Sequence, residues 1–204
     1  MDMIGFVLAV TLFVIYLVLW RIKRFSQIKK TGIDPEIFGK SDSNLQRYIK
    51  QIFNIVTVYV AVIMILHLLN VKFFVFFDRF VPLDSVTTKL IGFIIGLAGL
   101  GLCLYAQLKM GNSWRVGIDD NLKTELITGG LYKYIRNPTY TGLFLLNAGI
   151  WLIWPTFATF ILNIIFVYTL EIQVRCEEDF LEKTHGDTYR KYKKTTKRYI
   201  PFLY

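Results

Sequence analysis

The sequence predicts an all-α integral membrane protein with about five bilayer-crossing helices. Three observations carry this reading. Apolar residues make up 54% of the 204 residues and the mean hydropathy is +0.44, both high for a soluble domain. These residues gather into long runs, and a helix crossing the hydrocarbon needs about 20 mostly apolar residues because its amides must bond within the segment. The cations, finally, are sorted loop by loop.

The runs are Met3 to Trp20, Ile52 to Leu69, Leu90 to Leu108, Tyr140 to Trp154 and Thr156 to Leu170. The second is followed by the aromatic residues Phe73, Phe74, Phe76 and Phe77. The fourth is short and meets the fifth at Pro155, so a tilted span or a tight hairpin is expected. The first run is read as a retained helix rather than a signal peptide. No basic residue precedes it and no small-x-small cleavage site precedes Arg21.

Only Lys72, Arg79 and Lys89 lie between the second and third runs. All other Lys and Arg fall between the first and second, between the third and fourth, or after the fifth. With five spans these three groups share one side. The positive-inside rule then places the amino terminus outside and the tail, 171–204, in the cytoplasm. The membrane would be the plasma membrane in a prokaryote and the endoplasmic reticulum in a eukaryote. The net charge of +9 thus reflects topology and contact with anionic membrane lipids, and nucleic acid is not an expected partner. Cys103 and Cys176 form no disulfide framework, and His67 and His185 have no companions at metal-ligand spacing, so no metal is expected.

No internal repeat or low-complexity linker divides the chain, and residues 1–204 are read as one domain. The basic stretch from Arg21 to Lys50, with a turn at Gly32-Ile33-Asp34-Pro35, is expected to lie along the membrane surface. Gly92-x-x-x-Gly96 in the third run suits close helix packing in lipid, while Gly99-Leu100-Gly101 leaves room for backbone approach to a ligand.

Chemistry concentrates between Gly111 and Tyr140, a polar stretch containing the pair Trp114-Arg115. At its end Asn137 suits an N-cap and Pro138 the first helical position, which would aim the positive end of the fourth helix at an anionic group. Beyond the fifth run, Glu171, Gln173, Arg175, Glu177 and Glu178 form either a partly buried charged site or a solvated face paired with Arg136 or Arg175.

Several spaced elements then occur in a fixed order. They are Gly130-x-Tyr132, Arg136-Asn137-Pro138-Thr139-Tyr140-Thr141-Gly142, Glu177-Glu178, Gly186-x-x-Tyr189-x-x-Tyr192 and Pro201. Together they resemble the isoprenylcysteine carboxyl methyltransferase family, in its prokaryotic form, within the wider group that includes phospholipid N-methyltransferases. The resemblance covers about the last hundred residues. It implies S-adenosyl-L-methionine as cofactor, held by the loop before the fourth span and by the tail. By position the donor site comprises Thr124, Glu125, Leu126, Ile127, Tyr132, Asn137, Pro138, Thr139, Tyr140 and Glu177. The implied acceptor is lipid-like or prenylated, with O-methylation of a prenylcysteine-type carboxylate as the leading reaction.

Two positions depart from the family pattern. Asn137 replaces a histidine, and Gln173 stands where the eukaryotic enzymes carry an arginine for the substrate carboxylate. Arg175 and Arg136 are the remaining candidates for positioning acceptor or charge. The alternatives are N-methylation of a phospholipid or other lipid amine, an NADPH-dependent enzyme like the membrane sterol reductases, and a non-enzymatic protein keeping the scaffold.

Overall fold

The computed structural model describes residues 2–38, 43–68, 78–118 and 124–201. Lys40, Lys72, the Phe73 to Phe77 stretch, Asp119 and Lys123 lie outside them, as does the His67 side chain. Among the described residues there are helices, short 3-10 turns and isolated bridges, with no strand. The helices are α1 (Met3–Thr31), α2 (Asn44–Leu68), α3 (Val86–Met110), α4 (Pro138–Ile153), α5 (Phe157–His185) and α6 (Asp187–Thr195). Of these, α1, α2, α3 and α5 are long and apolar enough to cross a membrane, and α4 is a shorter apolar helix. Its 16 residues rise about 24 Å, less than the roughly 30 Å hydrocarbon core.

The described residues of each apolar run lie in a helix or its cap, and α1, α2 and α5 extend well beyond their runs. The stretch after Arg21 was expected to lie along the membrane surface; instead α1 continues as helix to Thr31. No Gly or Pro interrupts it before Gly32, whose φ of 70° ends the helix and whose amide bonds the Ile28 carbonyl. Likewise α2 begins at Asn44, well before the apolar residues, and α5 carries its polar extension to His185. Asp2 caps α1 through the Gly5 amide, Ser85 caps α3 through Thr88, and Thr156 forms a capping box with Thr159 on α5.

The core pairing is α3 against α4, antiparallel and closed by glycines. A Cβ on Gly149 would fall 2.4 Å from the Gly92 carbonyl oxygen, and one on Gly142 2.5 Å from that of Gly99. The two backbones thus touch at two levels, the close approach small residues permit in lipid. Gly96 backs onto Gly149 as well, and its own open side receives the Leu12 side chain of α1. Gly99 serves packing, not the ligand approach left open by the sequence, and Gly101 meets nothing within 4 Å.

At the end of the bundle with few cations, four charges interlock. Lys89 Nζ lies 3.0 Å from Asp2 and 2.8 Å from Asp84, and Arg79 reaches the same two carboxylates at 2.9 and 3.0 Å. Burial pushes both carboxyls up, but the Gly5 amide, Lys89 and Arg79 outweigh it at Asp2, and Lys89 and Arg79 outweigh it at Asp84. Both therefore titrate below the ordinary range. Their contribution is in full force above about pH 4, the unfolded-chain value, and is lost as pH falls through the lower folded values. Asp84→Asn is expected to cost about 1–3 kcal/mol at pH 7 and to flatten the acid limb of the Tm–pH curve of the solubilised protein. An acid limb identical to the wild type would contradict this.

The opposite, basic end is layered from loops. The Ile37 amide bonds the Val116 carbonyl and the Val116 amide the Pro35 carbonyl, at 2.8 and 2.9 Å. The extension of α1 holds the turn after α3, with Gln27 Nε2 donating to the Trp114 carbonyl at 2.7 Å and Lys23 Nζ to that of Gly111 at 2.8 Å. The tail lies against the segment leading into α4. There the Arg136 amide bonds the Lys197 carbonyl at 2.8 Å and the Asn137 amide that of Arg198 at 3.2 Å.

Candidate active site

Two cavities open at this basic end. The smaller, of about 110 Å³, is lined by residues from the loop before α4, the start of α4, the polar part of α5, and α6. The loop supplies Thr124, Glu125, Leu126 and Ile127, and the 3-10 turn Gly130–Lys133 supplies Tyr132. Asn137, Pro138, Thr139 and Tyr140 come from the first turn of α4, and Glu177 from α5. All ten residues that the resemblance assigns to the donor thus line one space.

Pro138 occupies the first turn as expected, but Asn137 does not cap α4 with its side chain. Its Nδ2 donates to Glu178 Oε1 at 3.1 Å, a charge-assisted bond that holds the side chain toward α5. Arg136 reaches the same carboxylate at 3.0 Å and also donates to the Lys193 carbonyl. Although it borders the cavity, Arg136 is a structural tie between α4, α5 and the tail. Glu178 is 2% exposed and also binds Arg198 at 2.9 Å. Glu178 pairs with Arg136, as one sequence reading has it, but it is buried and so not on a solvated face; Glu177 borders the cavity.

Tyr189 and Tyr192 stand out in the sequence as a motif without a role. They line the cavity from α6, and the Tyr192 hydroxyl donates to the Tyr132 carbonyl at 2.6 Å. Burial pushes the Tyr192 phenol up to about 12 and raises those of Tyr132 and Tyr189 further, so all three remain neutral donors at physiological pH.

The lining suits S-adenosylmethionine chemically. The positive end of α4 faces the space, where the first helical amides lack intrahelical partners and attract a carboxylate. The Tyr189 hydroxyl is buried without a hydrogen-bond partner among the described residues. Tyrosines supply the electron-rich faces that a sulfonium favours. The volume is below the roughly 300–1,000 Å³ of typical small-molecule sites, so the space as described takes part of such a molecule. Residues 119–123, which immediately precede Thr124, are outside the described residues.

The larger cavity, of about 400 Å³, runs between α1, α2, α4 and α5 and is mostly apolar, with Phe13, Trp20, Phe53, Leu143 and Phe166 among its walls. Met110, Thr139, Tyr140 and Glu177 line both cavities, so the two adjoin there. At this junction Glu177 Oε1 accepts from the Tyr140 hydroxyl at 2.6 Å and from Gln173 Nε2 at 2.8 Å. Gln173, in the arginine position of the eukaryotic pattern, is itself held by Gln46 Nε2 at 2.9 Å.

Arg175 does not join this site. Its side chain is 59% exposed, pairs with Glu171 at 2.8 Å and borders neither cavity. Arg115 lines the large cavity, as do Arg21, Arg24 and Lys50, and its charge acts on Glu177. The Trp114-Arg115 pair is unusual in the sequence, but no periodicity there places it. Its position depends on the long-range hold of α1 on the Trp114 carbonyl.

Fold and cavities together define an all-helical integral membrane protein in which a small cavity lined by tyrosines and Glu177 at one end of the bundle adjoins a larger, mostly apolar one among its helices. The phospholipid methyltransferase family model matches residues 87–188, half of the chain, and the chain belongs to that family. It is 28% identical over 119 residues to the protein-S-isoprenylcysteine O-methyltransferase of Schizosaccharomyces pombe, a match covering 57% of this chain and 50% of that protein. Its fold is also similar to that of the eukaryotic intramembrane Ras methyltransferase, an isoprenylcysteine carboxyl methyltransferase. There the TM-score is 0.55 and the identity 23%, over 61% of this chain and 46% of that one. The chain thus spans about half the length of both relatives.

Proposed function

We propose that this protein is an S-adenosylmethionine-dependent methyltransferase that esterifies a prenylcysteine-type carboxylate within the membrane. The observation that carries the reading is the junction of a small tyrosine- and glutamate-lined cavity with a larger, mostly apolar one at Thr139, Tyr140 and Glu177. The small cavity would hold the donor, through the start of α4, the tyrosines and Glu177. The large cavity would hold the lipid part of the acceptor, entering sideways between helices. The cofactor supplies an electrophilic methyl group: as the acceptor oxygen bonds to it, the carbon–sulfur bond breaks and its electrons stay on sulfur.

A carboxylate acceptor is already ionised at neutral pH, so no strong base is called for. The chain's own contribution is alignment of the two partners and exclusion of water from both. Arg115 takes the place of the arginine missing at Gln173 and steadies the acceptor carboxylate, while Tyr140 and Gln173 fix Glu177 toward the donor. The amino terminus lies outside and the site faces the cytoplasm, as the cation distribution supports.

The family match itself favours a second acceptor class, a lipid amine. Arg115 separates the two, since it attracts a carboxylate and repels an ammonium. With labelled methyl donor, Arg115→Gln is expected to raise the KM for a prenylcysteine at least about tenfold while S-adenosylhomocysteine affinity is unchanged. Arg175→Ala should alter neither. An unchanged prenylcysteine KM in Arg115→Gln, or transfer to amines alone, would overturn the carboxylate reading.

A further inference from the structure

The walls of the large cavity are not uniformly apolar. Asn147 of α4 and Asn163 of α5 line it together with Thr57 and Thr159. Most of this polarity is spent locally. Asn163 Nδ2 donates to the Thr159 carbonyl at 2.9 Å, and the Thr57 hydroxyl to the Phe53 carbonyl at 2.8 Å.

Asn147 differs. It is 9% exposed, yet its Nδ2 has no hydrogen-bond partner among the described residues. An unpaired amide in an apolar interior is unfavourable, and polar side chains at membrane depth that face a cavity mark the paths of substrates. Packing does not ask for an amide here, because Leu143, Leu146 and Ile150 furnish the same wall with hydrocarbon. Tyr140, seven residues earlier on the same helix, marks the junction of the two cavities. At 1.5 Å per residue, Asn147 lies about 10 Å deeper along the cavity.

We propose that the natural acceptor carries an oxygen in its apolar chain, about 10 Å from the methylated atom, and that the Asn147 amide donates a hydrogen bond to it. The proposal rests on the large cavity being the acceptor site. The ligand class is a carboxylate on a lipid or prenyl-type chain that itself bears a keto, ester, ether or hydroxyl oxygen, rather than the same chain without one. A site built around a hydrogen bond rejects the analogue that lacks it, because the buried donor is then left unpaired. Asn147 is thus a specificity residue, with no part in the transfer step.

The test uses the whole protein in detergent, and its readout is binding, not turnover. Trp20 and Trp114 line the cavity and report ligand entry by their fluorescence. The probes are octadecanoic acid and a panel of the same acid with a keto oxygen at successive carbons. In the wild type, one keto position is expected to bind about tenfold tighter than the plain acid, the effect of one buried hydrogen bond. Asn147→Leu should abolish that preference without weakening the plain acid. If the plain acid binds as tightly as every keto acid, the proposal is wrong and the cavity reading survives. If no acid binds while a prenylcysteine changes the same fluorescence, the proposal fails and the acceptor reading survives; if neither binds, both fail. The wild-type panel decides the matter even if the variant does not fold.

Discussion

Glu177→Gln is expected to weaken S-adenosylhomocysteine binding about 100-fold while moving the Tm by no more than a few degrees. The size follows from hydrogen bonds to a charged group, about 1.5–3 kcal/mol each, of which a carboxylate facing the donor offers two. Folding is spared because the internal partners of Glu177 are the neutral Tyr140 and Gln173, which a Gln side chain can still engage. Calorimetric titration with the homocysteine product, beside a thermal melt of the same sample, reads both quantities. Wild-type affinity in the variant would remove Glu177 from the donor site.

Its neighbour is expected to behave in the opposite way. Glu178→Gln should destabilise the fold by about 3–5 kcal/mol, the usual cost of leaving buried partners without their countercharge. Arg136 at 3.0 Å and Arg198 at 2.9 Å would both lose their anion, with only Arg198 retaining Glu171. Because those arginines fasten the tail and the start of α4 to α5, donor binding should fall only as far as the fold loosens. The Glu178→Gln melt, measured with and without saturating S-adenosylhomocysteine, separates the two effects. A large loss of affinity with an unchanged melt would show that the roles of the adjacent glutamates had been exchanged.

Much of this architecture is legible in the sequence because lipid imposes so strong a constraint. A run such as Leu90 to Leu108 has few options besides a buried helix, and Gly92-x-x-x-Gly96 announces a close helix contact, though not that α4 is the partner. The helix ends are harder to place. Hydropathy marks where a segment leaves the apolar layer, not where the helix stops, so the polar extensions of α1 and α5 leave no mark in it. Those extensions build the site: one holds the turn bearing Arg115 and the other carries Glu177.

The spaced motifs identify the lining of the small cavity because short local signatures fix local geometry. Helical phase also explains why Arg175 turns away. Gln173 and Glu177 are one turn apart on a single face, and a residue midway between them points to the far side. The Trp114-Arg115 pair stands out in the sequence, but the places of Arg115 and Asn147 on the large cavity are not legible there. Arg115 owes its position to contacts with distant helices. Asn147, set in a run of apolar residues, is indistinguishable by sequence from ordinary polar glue between helices.

The central claim is that the small cavity beside Glu177 holds a methyl donor. It is tested most directly by titrating the purified protein with S-adenosylhomocysteine and, in parallel, with NADPH. The account predicts micromolar binding of the homocysteine product, lost over the same concentration range in Glu177→Gln, and no binding of the nicotinamide. Binding of NADPH alone would contradict it and place the protein with the membrane reductases.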